Sequence, residues 1–233
     1  MRSKDSKTNP WIPIIISLVA LSATLLNLYK NYWAPFDPLI TVGSPVYQFG
    51  TVSGDDSNLS STRNEQFDPK QERVLASILI PIVFTHDGGK PGVISDLMLR
   101  VSRIGKNDGW FFEPRLNVDE QKYLTSFDNQ SMVRAVDSGF SPIALAQGDQ
   151  IKRFIAFQPD NNQNFPSGRL RLDRYIIHVL CRIDDDQFYK EIDSISVEFT
   201  SEILTKLASD GTSKYIPSPE SISRSRDKLR GRS

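Results

Sequence analysis

Cysteine is almost missing from this sequence: Cys181 is the only one in 233 residues. One thiol closes no internal disulfide, so a disulfide-stapled secreted module is excluded and the fold has to rest on its core. Cys181 lies in the apolar run YIIHVLCRI and reads as a buried small hydrophobe. Histidine is nearly as scarce, with His86 and His178 alone. On one strand residues 178 and 181 face opposite sides, so they form no Cys–His pair there. His86 falls at a turn and is expected to be solvated. Neither sign of charge dominates, since 28 Lys and Arg balance 28 Asp and Glu. That removes the broad basic field of a nucleic-acid binder, and no such partner is expected. There is no G-x-S-x-G, no P-loop and no dinucleotide glycine pattern. Nothing here asks for a cofactor.

Long charge-free apolar runs are also scarce; the one of spanning length opens the stretch WIPIIISLVALSATLLNLYKNYW. Trp11 to Leu28 carries no charge, and as a helix it would span about 27 Å, close to a thin hydrocarbon core. Pro13 sits in the first turn, where its missing N–H has no helical partner. Ser17, Ser22 and Thr24 can return their hydroxyls to the helix backbone. Apolar residues lie all round, which points to a spanning helix rather than a surface-lying one. The membrane residues are Trp11, Ile14, Ile15, Ile16, Leu18, Val19, Leu21, Leu25, Leu26 and Leu28, with Trp11, Tyr29, Tyr32 and Trp33 as interface anchors. A cleaved signal would need small residues after the run, and Tyr-Lys-Asn-Tyr-Trp are large. Arg2, Lys4 and Lys7 precede the run and Lys30 follows it, so the positive-inside rule puts the N-terminus in the cytoplasm. The sequence therefore divides into a basic segment 1–10, a transmembrane helix 11–33, a β domain 36–207 with a long polar loop at about 50–72, and a basic tail 208–233 expected to be disordered.

In the domain, strand signals recur with turns between them and without helix-period segments. Ile40 to Phe49 reads as a first strand. RVLASILIPIVFT is the strongest. Val74, Ala76, Ile78, Ile80, Ile82 and Phe84 share one face of it, Leu75, Leu79 and Val83 the other, and Pro81 marks an edge or bulge. GVISDLMLRVSR alternates, with Val93, Leu97, Leu99 and Val101 inward. Asp119 to Ser138 holds a short helix or a covering loop. SPIALAQGDQIKRFIAFQP gives strand, Gly-Asp turn, strand, with Ile151, Ile155 and Phe157 inward. RYIIHVLCRI, an acidic turn, a returning strand and SISVEF complete roughly seven to nine strands. The expected fold class is all-β, two packed antiparallel sheets behind one N-terminal transmembrane helix.

The order long apolar strand, T-H-D-G-G-K-P-G, V-I-S-D-L-M-L-R-V, with the later L-A-Q-G-D-x-x-x-x-x-I-A-F, resembles bacterial immunoglobulin-like sandwich modules. The likeness lies in turns and alternation over about half of the domain. It implies an immunoglobulin-like β-sandwich and carries no catalytic residue.

Asp184, Asp185 and Asp186 form the sharpest acidic cluster and are weak metal candidates. Successive residues point apart and no D-x-D-x-D-G follows, so a solvated turn is favoured. Asn58 and Asn129 begin N-x-S sequons. Arg224, Arg226, Lys228, Arg230 and Arg232 could meet an anionic surface. These features suggest a membrane-anchored, non-enzymatic interaction module outside the cytoplasm, meeting the lipid bilayer and a protein or glycan of unknown identity. A membrane-tethered hydrolase acting on an envelope polymer is the alternative, and it needs two convergent carboxylates or a nucleophile beside His86.

Overall fold

A computed structural model describes residues 11–51, 73–106, 109–125, 134–160, 173–184, 186–203, 205, 214–218 and 222–224. The long loop, both sequons, Asp185 and the tail cations Arg226, Lys228, Arg230 and Arg232 lie outside them.

The chain opens with α1 (Trp11–Leu28), which passes into a π turn at Tyr29–Trp33. None of α1 is buried. Ser22 and Thr24 donate their hydroxyls to the carbonyls of Leu18 and Ala20, both at 2.8 Å, which satisfies both polar side chains inside an apolar helix.

Twelve strands are present among the described residues, and the pairs are antiparallel. They are β1 (Leu39–Val42), β2 (Val46–Thr51), β3 (Arg73–Thr85), β4 (Gly92–Arg103), β5 (Gly109–Val118), β6 (Val136–Gly139), β7 (Ile143–Leu145), β8 (Gln150–Pro159), β9 (Asp173–Ile183), β10 (Lys190–Phe199), β11 (Lys214–Tyr215) and β12 (Ile222–Arg224). One hydrogen-bonded path runs β11-β2-β3-β8-β5-β4-β9-β10-β12, while β1, β6 and β7 pair with β3, β5 and β4. Where the sequence suggests two separate sheets, the protein has one sheet that curls into a half-barrel. Its ends meet through aromatics: Tyr47 and Phe49 of β2 pack edge-on to Phe199 of β10, with ring centroids 5.2 and 6.0 Å apart. The core between the facing halves includes Ile78, Ile80, Ile82 and Phe84 from one side and Ile177, Val179, Ile195 and Val197 from the other. Both ends of the path carry short pieces of the basic tail, with β11 on β2 and β12 on β10.

Bulges shift the alternation that the sequence suggests. β3 skips Ala76 against β2, so Leu75 joins the inner core with Ile78. β4 skips Ser95 against β9, so Ile94 turns inward in place of Val93. The expected single strand at 40–49 is two, because Gly43-Ser44-Pro45 interrupts it. The break lies opposite Pro81. A residue in an antiparallel ladder directs its N–H and C=O to the same side. Gly43 donates to the Pro81 carbonyl at 2.7 Å, so the missing Pro81 N–H faces the break rather than β8. A proline thus sits inside the sheet without orphaning an acceptor on β8.

The sequence KEIDSISVEF forms one continuous strand, β10, with its bulge at Ile192. β7 and β8 flank a Gly-Asp turn but do not pair with each other. The ambiguous stretch after Asp119 contains α2 (Glu120–Thr125), whose Tyr123 covers Leu79, Phe154 and Ala156 on the outer face.

Candidate functional site

Several backbone bonds between distant parts of the chain meet where the apolar helix enters the sheet. The π turn closes with the Ala34 N–H donating to the Tyr29 carbonyl at 2.8 Å. Pro35 and Pro38 limit the next residues to extended conformations. The turn between β3 and β4 then grips them. Lys90 donates its N–H to the Ala34 carbonyl at 3.1 Å. Gly89, at φ +91°, brings its backbone to where a Cβ would stand 3.0 Å from the carbonyl oxygens of both Ala34 and Pro35. A Cβ on Gly92 would stand 2.2 Å from the Phe36 ring. Only glycine permits these approaches.

His86 lies at the centre and is 0% exposed, against the expected solvated turn residue. Its ring meets Phe36 edge-on at 4.9 Å. Nε2 is 3.1 Å from the Lys90 carbonyl. A carbonyl only accepts, so Nε2 carries the hydrogen. Nδ1 has no hydrogen-bond partner among the described residues. The His86 backbone completes a second clamp: its N–H donates to the Asp149 carbonyl at 3.0 Å and its carbonyl accepts from Gly148 at 2.7 Å. The Asp149 carboxylate in turn accepts from the Ala146 N–H at 2.7 Å.

The acidic turn belongs to the same end of the sheet. Asp184, at φ +47°, exchanges 2.6 Å bonds with Val93: its N–H donates to the Val93 carbonyl, and its carboxylate accepts the Val93 N–H. Asp186 pairs with Lys190 at 2.8 Å, a bond that holds the ammonium pKa above its usual value. These carboxylates are engaged in closing the hairpin. Among the described residues no three of His, Cys, Asp and Glu gather to hold a metal ion.

Two other polar groups take no part in this clamp. Tyr189 donates its hydroxyl to Asp96 at 2.5 Å, and Arg182 lies 3.6 Å from the same carboxylate oxygen with its guanidinium 5.5 Å from the Tyr189 ring centroid. Burial first, then the bond to Asp96, pushes the Tyr189 phenol up to about 12. Cys181 points into the core, where burial pushes its thiol up to about 11. His178 is on the other face, 3.2 Å from Glu191, so no Cys–His pair forms.

The structure thus places the residues expected to span a membrane, Trp11 to Leu28, on one exposed apolar helix, with Tyr29, Tyr32 and Trp33 in the π turn that follows and Trp33 one residue before the clamp. Arg224 ends β12. Sequence reasoning missed Phe36, Gly89, Gly92 and the burial of His86. The signal was present in four tightly spaced residues, Gly-Gly and Pro-Gly, which allow close backbone approach but do not say to what. No protein-family model matches the chain, and no curated protein or solved structure matches it either.

Proposed function

We propose that this protein is a single-pass membrane protein whose N-terminus is cytoplasmic and whose β domain, an open variation on an immunoglobulin-like sandwich, presents a binding surface outside the cytoplasm. The reading is non-enzymatic, with a protein or glycan as partner. The observation that carries it is the clamp of Ala34, Pro35 and Phe36 by the turn from His86 to Gly92. It leaves no slack between an exposed apolar helix and a folded body. A body held at fixed height and tilt above a bilayer is suited to meeting a partner in a set orientation, because less orientational freedom is lost on binding. The facing halves of the curled sheet support the sandwich comparison, and the basic flank before α1 supports the orientation. The tail cations suit a contact with anionic headgroups or an acidic polymer.

Alkaline-carbonate extraction and terminal reporter fusions test this together. The chain should stay in the membrane pellet, with a reporter at residue 233 active only outside the cytoplasm. Release into the supernatant, or a cytoplasmic C-terminal reporter, would refute it.

A further inference from the structure

Phe188 is the most exposed large apolar side chain among the described residues, at 79%. It is more open than any large apolar residue of α1, of which Leu26 at 69% is the most exposed. It sits in the β9–β10 turn, outside the core that takes in Phe199 of the same hairpin. A solvent-facing phenylalanine at a loop tip is ordinary by itself. Its position is the informative part.

The turn holding Phe188 is tied to Val93 by both Asp184 bonds. Val93 follows Gly92, which lies against the Phe36 ring. Phe36 is three residues past Trp33, and an extended chain covers at most about 11 Å in that distance. Ala34, held by Lys90, is the immediate neighbour of Trp33. The turns at 86–91, 146–149 and 184–189 therefore share the end of the sheet from which the helix leaves. Leu39, 62% exposed and opposite Thr85, opens β1 at this end too. The interfacial layer that takes up a tryptophan at a helix end is about 5–8 Å deep on each side of a bilayer.

Charge does not explain such a surface. Exposed Asp37, Asp87 and Asp186 accompany Lys90 and Lys190 there, so no basic field draws anionic lipid. What sets the end apart is the pair of exposed apolar side chains, Phe188 and Leu39, among charges of both signs.

We propose that Phe188, with Leu39 at the same end, enters the zwitterionic headgroup layer of the bilayer that α1 crosses, so that the domain rests on the membrane surface. This rests on the reading of α1 as a spanning helix. The clamp at Ala34–Phe36 sets the height at which the wedge is delivered. The contact is apolar, so it should be insensitive to salt and need no anionic lipid.

The test uses the full chain in phosphatidylcholine nanodiscs with an environment-sensitive fluorophore on F188C, L39C, K106C or L18C. Buried Cys181 takes no label, which the unsubstituted chain verifies. Lys106 lies in the turn joining β4 to β5, at the far end of the sheet from Gly92. Lipids brominated near the top of the acyl chain should quench F188C at least about threefold more strongly than K106C, with L39C also quenched, and raised salt should change nothing. L18C should be quenched by deeply brominated lipid. Quenching at F188C no greater than at K106C, while L18C is quenched, overturns the wedge and leaves the spanning helix standing. Failure to quench L18C refutes the spanning helix and the wedge with it.

Discussion

Lys90 gives its backbone N–H to the carbonyl of Ala34 at 3.1 Å, and this single bond joins the end of the apolar helix to a turn between the two longest strands. The carbonyl is available because the π turn closes on the Ala34 N–H and leaves its oxygen pointing onward. Gly89 and Gly92 bring the turn close enough to form the bond, and Phe36 seals it against His86. A helix end has unsatisfied carbonyls to place, and here one of them becomes the attachment of a domain.

Gly92→Ala should therefore disturb the junction far more than its size suggests. The added Cβ would stand 2.2 Å from the Phe36 ring, so the ring must move. Overpacking of this kind costs about 1–3 kcal/mol, and thermal unfolding in micelles should fall by about 2–4 °C for each kcal/mol. Gly139→Ala, with nothing within 4 Å of the new carbon, is the control and should change stability little. Equal melting of both variants would show that Phe36 is not held against Gly92. Limited proteolysis should also cut the Gly92→Ala chain between residues 34 and 38 more readily.

Cys181 should behave as an inert thiol. Burial raises its pKa from 9.0 to about 11, so at pH 8 only about one molecule in a thousand carries the reactive thiolate. A disulfide reagent should modify the folded chain far more slowly than the urea-unfolded chain. The sign of the linkage follows from the acid being weaker when folded. Its contribution to stability is whole below pH 9 and is lost as pH rises through 11. Rapid modification of the folded chain at pH 8 would contradict the burial.

How far the sequence could be read depended on which forces act locally. Alternation placed Ile78, Ile80, Ile82, Phe84, Leu97, Leu99, Ile195 and Val197 correctly, because a pleated strand presents every second side chain to one face. It failed at Leu75 and Val93, where bulges at Ala76 and Ser95 reset the period. A bulge is decided by the partner strand, which local pattern does not contain. The same holds for curling. Strand patterns indicate that one face is buried, but not whether it faces a second sheet or the far half of its own. His86 was misjudged because His-Asp-Gly-Gly reads as an exposed turn, and the linker that buries it is fifty residues earlier in the chain.

Tyr189→Phe should remove a specific alkaline transition. The phenol donates to Asp96 at 2.5 Å and is held up at about 12 by burial and by that carboxylate. A weaker acid in the folded state contributes stability that is complete below pH 10 and disappears as pH rises through 12. At neutral pH the variant should lose about 1 kcal/mol, the usual net worth of a partly exposed hydrogen bond. Between pH 10 and 12 its stability should fall less steeply than that of the unsubstituted chain, and absorbance titration should lose one phenolate step. Identical pH profiles for the two chains would count against the Tyr189–Asp96 bond.

Two phenylalanines of one hairpin, Phe188 in its turn and Phe199 at the end of its second strand, should respond very differently to truncation. Phe199 is 3% exposed, meets Tyr47, Phe49 and Tyr215 across the gap between the two ends of the sheet, and packs beside Tyr175 of the neighbouring strand β9. Phe199→Ala leaves a cavity at the point where the half-barrel closes, a change that costs about 3–5 kcal/mol. Urea unfolding in micelles should show a large fall in midpoint, and because the cluster links β2 to β10, both halves should loosen together. Phe188→Ala removes a ring that is 79% exposed, so in micelles its unfolding free energy should stay within about 0.5 kcal/mol of the parent. The contrast separates the two roles by measurement: a residue that closes the fold lowers the unfolding midpoint, whereas a residue that projects from the body leaves it unchanged. Comparable losses at both positions would mean that the β9–β10 turn is folded against the body rather than projecting from it.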